Sequence, residues 1–215
     1  MPGPRDTRAR KAPRQDRSRE TVAAILDATA RSLVRHGFAG TTTNRVAALA
    51  GVSVGSLYQY YPNKRALVRA LYDRHVAEAE KLRPALLQSP PGASPDATLA
   101  DLVHAAVDWH VAAHALAPRL HAELDAHAND IVGPSDLRRF EGLHEARVRA
   151  RLEAHRDEIG AADPDLAAFL VAACLEAVPH AAAARRPELL ASGALRDELA
   201  AMLLGYLARR TRPGD

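Results

Sequence analysis

One cysteine, Cys174, stands in a chain of 215 residues, which excludes an internal disulfide framework and any cysteine-rich zinc site and fits a reducing compartment. Aromatic residues amount to 4%, and β-branched strand signals are equally sparse, so little favours a sheet. No apolar run occupies the first 20 residues, and no uninterrupted stretch of 18 apolar residues occurs, so neither a signal peptide nor a membrane span is expected and the location is read as cytoplasmic. Catalytic patterns are missing too. His144-Glu145-Ala146-Arg147-Val148 begins like a zinc-protease motif but lacks the second histidine. No glycine-rich phosphate loop occurs, and Cys174 has only His180 nearby as a local base. An enzyme is not expected, and no cofactor or resident metal is called for.

What is abundant is alanine, at 46 residues, and arginine, which supplies all but three of the 29 basic residues. Both favour helix, so the chain is read as all-α. Charge is divided along its length. Residues 1–75 carry 14 basic against 5 acidic side chains, a net of +9, whereas residues 76–215 carry 15 against 21, a net of −6. A basic end joined to an acidic body points to a polyanion-binding face near the N-terminus.

Turn and cap signals divide the chain into about nine helices. Residues 1–17 read as a disordered basic arm, in which Arg14 and Arg17, with Arg19 beyond, are candidates for added phosphate contact. Ser18 opens a first amphipathic helix that ends at Gly37. The Thr41–Thr43 hydroxyls precede a short second helix stopped by Gly51, and Ser53 caps a short third helix through Tyr60. Two short helices joined by a glycine turn form a helix-turn-helix, completing a DNA-binding unit over residues 18–62. A bridging fourth helix follows over 63–83. The body, 84–210, is expected to hold a fifth helix opened by Ser94-Pro95-Asp96, a sixth after Pro118, and a seventh from Pro134 to Ile159. An eighth is opened by Asp163-Pro164, with a kink or early end at Pro179, and a ninth follows Gly193.

The run from Gly37 to Ala47 (GFAGTTTNRVA), with Ala50 to Leu67 (AGVSVGSLYQYYPNKRAL), resembles the tetracycline-repressor (TetR) family of bacterial transcription regulators. Elementary physics supports the residue types on its own. A helix N-terminus exposes unpaired N–H groups and partial positive charge, so Thr42 and Ser53 stand where phosphates are favoured. Ser56, Tyr58 and Tyr60 offer hydroxyls to phosphate oxygens, Lys64 a cation, and these contacts position without specifying sequence. Val54 and Gly55 let the third helix approach the groove floor, where Val54 fits a thymine methyl and Gln59 an adenine edge. The resemblance implies the same division: Thr42, Ser56, Tyr58, Tyr60 and Lys64 at phosphates, Thr43, Val54 and Gln59 at bases. Leu57, Val46, Ala47 and Leu49 are packing residues, and Tyr61 is expected in the core.

For the body the resemblance implies architecture and little chemistry. The eighth helix carries Leu166, Phe169, Leu170, Ala173, Cys174 and Ala177, and the ninth Leu195, Leu199, Met202, Leu203, Tyr206 and Leu207, each set at helical spacing. They are read as a four-helix homodimer interface. One short recognition helix covers few base pairs, so a homodimer on an inverted-repeat, double-stranded operator is expected. His110 and His114 interrupt the apolar face of the fifth helix and His144 and His155 that of the seventh. Facing each other, His110, His114 and His144 with Trp109 and Phe140 would line a small-molecule effector pocket. A transition-metal site and ordinary structural histidines both stay open. The implied function is a ligand-responsive repressor. The alternative is a helical small-molecule or metal-binding protein with only nonspecific DNA affinity.

Overall fold

The computed structural model describes residues 16–94, 96–161 and 163–208. Helices make up its regular structure, with no strand among the described residues. In order they are α1 (Asp16–Gly40), α2 (Thr43–Ala50), α3 (Val54–Tyr60), α4 (Lys64–Lys81), α5 (Ala85–Gln88), α6 (Leu99–Ala115) and α7 (Pro118–Ala126). Next come α8 (Ala128–Ile131), α9 (Pro134–Ala154), α10 (Pro164–Arg185), α11 (Glu188–Ala191) and α12 (Gly193–Leu207), with a 3₁₀ turn at Arg156–Glu158. The all-α expectation holds. The three four-residue helices α5, α8 and α11 add to the nine expected, because one turn is too short to show an apolar period.

Two compact units form. One takes the chain through Glu78 together with Arg119–Leu137, the other Ala79–Pro118 and the chain from Arg138 onward. The sequence-based division therefore needs correcting, since residues 119–137 belong with the N-terminal unit. Their anchors are polar and distant in sequence: Phe38 N donates to Glu123 Oε2 at 3.2 Å, the Phe38 ring lies 4.6 Å from His127, and Arg69 donates to Val132 O at 3.3 Å. The unit's core is Ile25, Ala28 and Leu33 of α1 with Val46, Leu57, Leu67 and Leu71, all fully buried. Ser32 and Thr41 are buried within it and satisfied by one another, 3.0 Å apart.

In the second unit α6 supplies Leu99, Val103, Val107 and Val111 at four-residue intervals to a core completed by α10 and α12, including Val171, Leu175, Leu199, Leu203 and Leu207. Local starts and stops differ from expectation in four places. Helix α1 begins at Asp16, ahead of Ser18, because no breaker follows Pro13. Thr98, not Ser94, caps α6, where Thr98 and Asp101 satisfy one another's backbone N–H groups in a capping box. Helix α9 ends at Ala154 and passes into the 3₁₀ turn instead of reaching Ile159. Pro179 does not end α10, which runs on to Arg185 with the proline buried in the core face. The arm residues 1–15, Arg14 among them, lie outside the described residues.

By length and composition α10 could cross a membrane. It holds no uninterrupted apolar run of that length because Glu176 divides its apolar residues. Its inner face, Ala167, Ala168, Val171, Ala172 and Leu175, is buried in the second unit.

Candidate functional site

The helix pair α2–α3 is built as its sequence demands. Thr42 Oγ1 caps α2 by accepting from Arg45 N at 3.2 Å. Gly51 ends it at φ 68°, in the left-handed region, and its N–H reaches back to Ala47 O and Ala48 O. Ser53 Oγ then caps α3, accepting from Ser56 N at 3.0 Å. Leu57 is fully buried beneath α3, which turns Val54, Gly55, Tyr58 and Gln59 outward, all four exposed. Nothing crowds the outer surface at Gly55: a Cβ there would meet only Ser53 Oγ at 3.9 Å.

Two hydroxyl pairs order this surface. Thr43 Oγ1 and Tyr58 OH lie 3.2 Å apart, joining the first turn of α2 to α3, and Ser53 Oγ and Ser56 Oγ lie 2.8 Å apart. Of the expected DNA contacts, Thr43 is thus brought to Tyr58 and Ser53 to Ser56, while Thr42 caps α2. Tyr60 does not join them. It is buried, three residues after Leu57 and on the same inward face, so its assignment as a contact is corrected to a packing role. Lys64 is partly committed elsewhere: its Nζ donates to Phe38 O at 2.8 Å and sits 4.2 Å from the centre of the Phe38 ring. Tyr61 is in the core as expected, and burial holds its phenol up at about 12. Sequence reasoning missed Arg45, the one cation of α2 and exposed. It also missed Arg31, which fastens α1 to Leu49 O at 3.1 Å.

In the second unit the expected effector residues divide. Trp109, His110 and His144 come together, with ring centres 4.5 Å apart for the first pair and 5.1 Å for His110 and His144. Trp109 Nε1 also donates to Ala79 O at 2.9 Å, tying α6 to the last turns of α4. His114 lies one turn further along α6. Phe140 is half exposed, and much of the stretch Arg138–Leu143 faces solvent, so this residue is corrected to a surface position.

His110 Nδ1 lies 2.7 Å from Ala106 O and His114 Nδ1 2.8 Å from His110 O. A carbonyl can only accept, so both Nδ1 atoms carry a proton. Burial lowers His110 to about 3 and also lowers His144, keeping both neutral at physiological pH. Next to this cluster along α6 is a separate apolar cavity of about 50 Å³, lined by Leu99, Leu102, Val103, Val148, Val171, Leu175 and Leu203, with Arg151 its one charged neighbour. The single mixed pocket anticipated from the helix faces is therefore two features, an imidazole cluster and an aliphatic void.

Known proteins share both units. The family described as "Bacterial regulatory proteins, tetR family" matches residues 25–71, and that described as "Tetracyclin repressor-like, C-terminal domain" matches residues 98–207, about half of the chain. The HTH-type transcriptional regulator TtgR of Pseudomonas putida is 41% identical over 59 residues, 27% of this chain and 28% of that protein, so the match spans little more than a quarter of the relative. Among solved structures, a TetR-family transcriptional regulator from Rhodococcus sp. superposes with a TM-score of 0.67 at 20% identity, over 88% of this chain and 100% of that one. The transcriptional regulator FadR from Bacillus subtilis, in complex with stearoyl-CoA, gives 0.61 at 17% identity, over 86% and 98%. The family matches take in the capped helix-turn-helix and the helical body alike, and the chain belongs to the TetR family of bacterial regulatory proteins.

Proposed function

We propose that this protein is a cytoplasmic transcription regulator, not an enzyme, which as a homodimer represses from an inverted-repeat operator and is released by a small-molecule effector. The observation that carries the DNA-binding half is α3 itself. Its packing side is Leu57 and Tyr60, and its capped N-terminus and outward Val54, Gly55, Tyr58 and Gln59 are left for a groove. Small and hydroxyl-bearing side chains suit close approach, phosphate contacts at Thr42, Thr43, Ser53, Ser56 and Tyr58, and base reading at Val54 and Gln59.

The dimer reading rests on α10. Its buried residues lie on one face, while Leu166 and Phe169 are 51% and 53% exposed and Met202 of α12 is 50% exposed. A helix apolar on both faces needs a partner for the second. Effector binding fits the aliphatic void, although drug-sized ligands need on the order of 300 Å³ or more, so the ligand has to part the helices that line it. Displacement of α6 would reach α4 through the Trp109–Ala79 hydrogen bond, and coupling follows if the ligand binds the parted state better.

The test is fluorescence anisotropy with DNA from the promoters of its own and neighbouring genes at physiological salt, beside random duplex. Binding to one promoter at least ~10³-fold tighter than random DNA is expected. Equal affinity for every duplex would reject specific recognition and leave the nonspecific alternative. An apolar compound that binds tightly without changing operator affinity would reject the coupling.

A further inference from the structure

In the second unit, His110 Nε2, His144 Nε2 and Arg83 Nε are buried without a hydrogen-bond partner among the described residues. They gather about one indole. The Arg83 guanidinium carbon lies 5.4 Å from the centre of the Trp109 ring, the His110 ring is 4.5 Å from the same indole, and the His144 ring is 5.1 Å from that of His110. Buried polar atoms are ordinarily paired, and the His110 side chain is only 4% exposed.

The hydrogen-bonding sense of each atom follows from what its neighbour already does. His110 gives its Nδ1–H to Ala106 O at 2.7 Å, and His144 hydrogen-bonds to the backbone of Ala172, which leaves Nδ1 as its donor. Burial keeps both rings neutral, so each Nε2 can only accept. Arg83 pairs with Glu80 through Nη1, 3.4 Å from Oε2, and its Nε–H can only donate. Two acceptors and one donor are therefore brought to one place.

That place adjoins the aliphatic cavity on three helices. Ala106, whose carbonyl holds His110, also lines the cavity. Val148, one turn beyond His144 on α9, and Val171, next to Ala172 on α10, line it too. Arg151, the charged neighbour of the cavity, is taken up by Leu87 O at 2.5 Å and Ser89 O at 3.1 Å.

We propose that Arg83, His110 and His144 bind the carboxamide head of an effector whose aliphatic body enters the cavity. An –NH2 group offers two N–H donors to the two imidazoles, and the adjoining carbonyl accepts from Arg83. Other heads match less well. A carboxylate has acceptors only and would face two more, whereas a hydroxyl has one donor and leaves one imidazole unserved. An ammonium has donors only and adds a charge where Arg83 bears on both rings and Arg147 on His144, against Glu176 alone. The assignment rests on the reading of the cavity as the effector site and names the chemistry of its polar end.

The experiment measures the binding of hexanamide, N,N-dimethylhexanamide, hexanoate and hexylammonium to the full chain by isothermal titration calorimetry near neutral pH. Hexanamide is expected to bind at least ~10-fold more tightly than each of the others, the worth of one hydrogen bond net of its exchange with water. In the wild-type protein it should also shift the ¹⁵N resonances of His110 and His144 Nε2, a readout that needs no variant. His144→Asn keeps a donor at the Nδ1 position and removes Nε2, so it should shrink the preference for hexanamide over its dimethyl analogue. Arg83→Met keeps the apolar stem over Trp109 and should lower hexanamide affinity about tenfold. If the dimethyl amide, hexanoate or hexylammonium binds as tightly as hexanamide, the carboxamide assignment is overturned while the cavity remains the effector site. Hexanamide binding that moves neither Nε2 resonance overturns it in the same way. Binding by none of the four compounds overturns the cavity reading and the head-group assignment with it.

Discussion

Replacing Phe169 by alanine gives a quantitative test of the proposed dimer. Phe169 leaves 53% of its surface to solvent in the single chain. Full burial of such a side chain contributes about 1.5–3 kcal/mol, so covering the exposed half is worth roughly 1 kcal/mol. A twofold interface repeats each contact, and Phe169→Ala removes it twice, about 2 kcal/mol per dimer. At 1.4 kcal/mol per factor of ten, that is a dimer Kd raised ~30-fold. The folded monomer should scarcely notice, because exposed substitutions away from special features stay within about 0.5 kcal/mol. Sedimentation equilibrium across a concentration series, with circular dichroism on the same samples, separates the two effects. A dimer Kd within twofold of wild type would refute the assignment of this face.

Four further outcomes follow from the N-terminal unit. Tyr58→Phe should weaken binding to all duplexes alike, whereas Gln59→Ala should flatten the preference at one position of each half-site by ~1–3 kcal/mol, both read by anisotropy against substituted operators. Gly51→Ala should destabilise the chain by about 1–2 kcal/mol in urea unfolding. A Cβ there meets nothing within 4 Å, so the penalty is that of the left-handed backbone alone. Tyr61 has its folded pKa raised to about 12 from 10, so above pH 10 the unfolded chain sheds a proton that the folded one retains. Its contribution is complete below pH 10 and lost as pH rises through 12, and Tyr61→Phe should lose less stability than wild type over that range in unfolding measured at stepped pH.

The helix-turn-helix was legible because its signals are local. Thr42, Gly51 and Ser53 act within three or four residues of themselves, and each does in the structure what its type foretold. Tyr60 was misread for a related reason. A seven-residue helix makes barely two turns, too few for an apolar period to say which side faces in, and hydroxyl chemistry alone suggested an outward role. Lys64 and the segment 119–137 depend on Phe38, Glu123 and Arg69, partners remote in sequence that leave no periodic trace. Helix α10 shows a third kind of limit. Its stripe Leu166–Phe169–Ala173 was found by spacing, but a second apolar face, Ala167–Val171–Leu175, lies beside it. Only packing distinguishes the face that builds the body from the face left for a partner.

That double-faced helix makes abundance part of how the proposed regulator works. With this face as the dimer interface, a newly made chain would carry Leu166, Phe169 and Met202, exposed in the single chain, uncovered until it met its copy, so at low copy number the cell would hold half-site binders with a greasy flank, open to proteases and chaperones. Occupancy of a two-half-site operator would then rise as the square of chain concentration below the dimer Kd. Synthesis rate would set a threshold for repression before any effector is present.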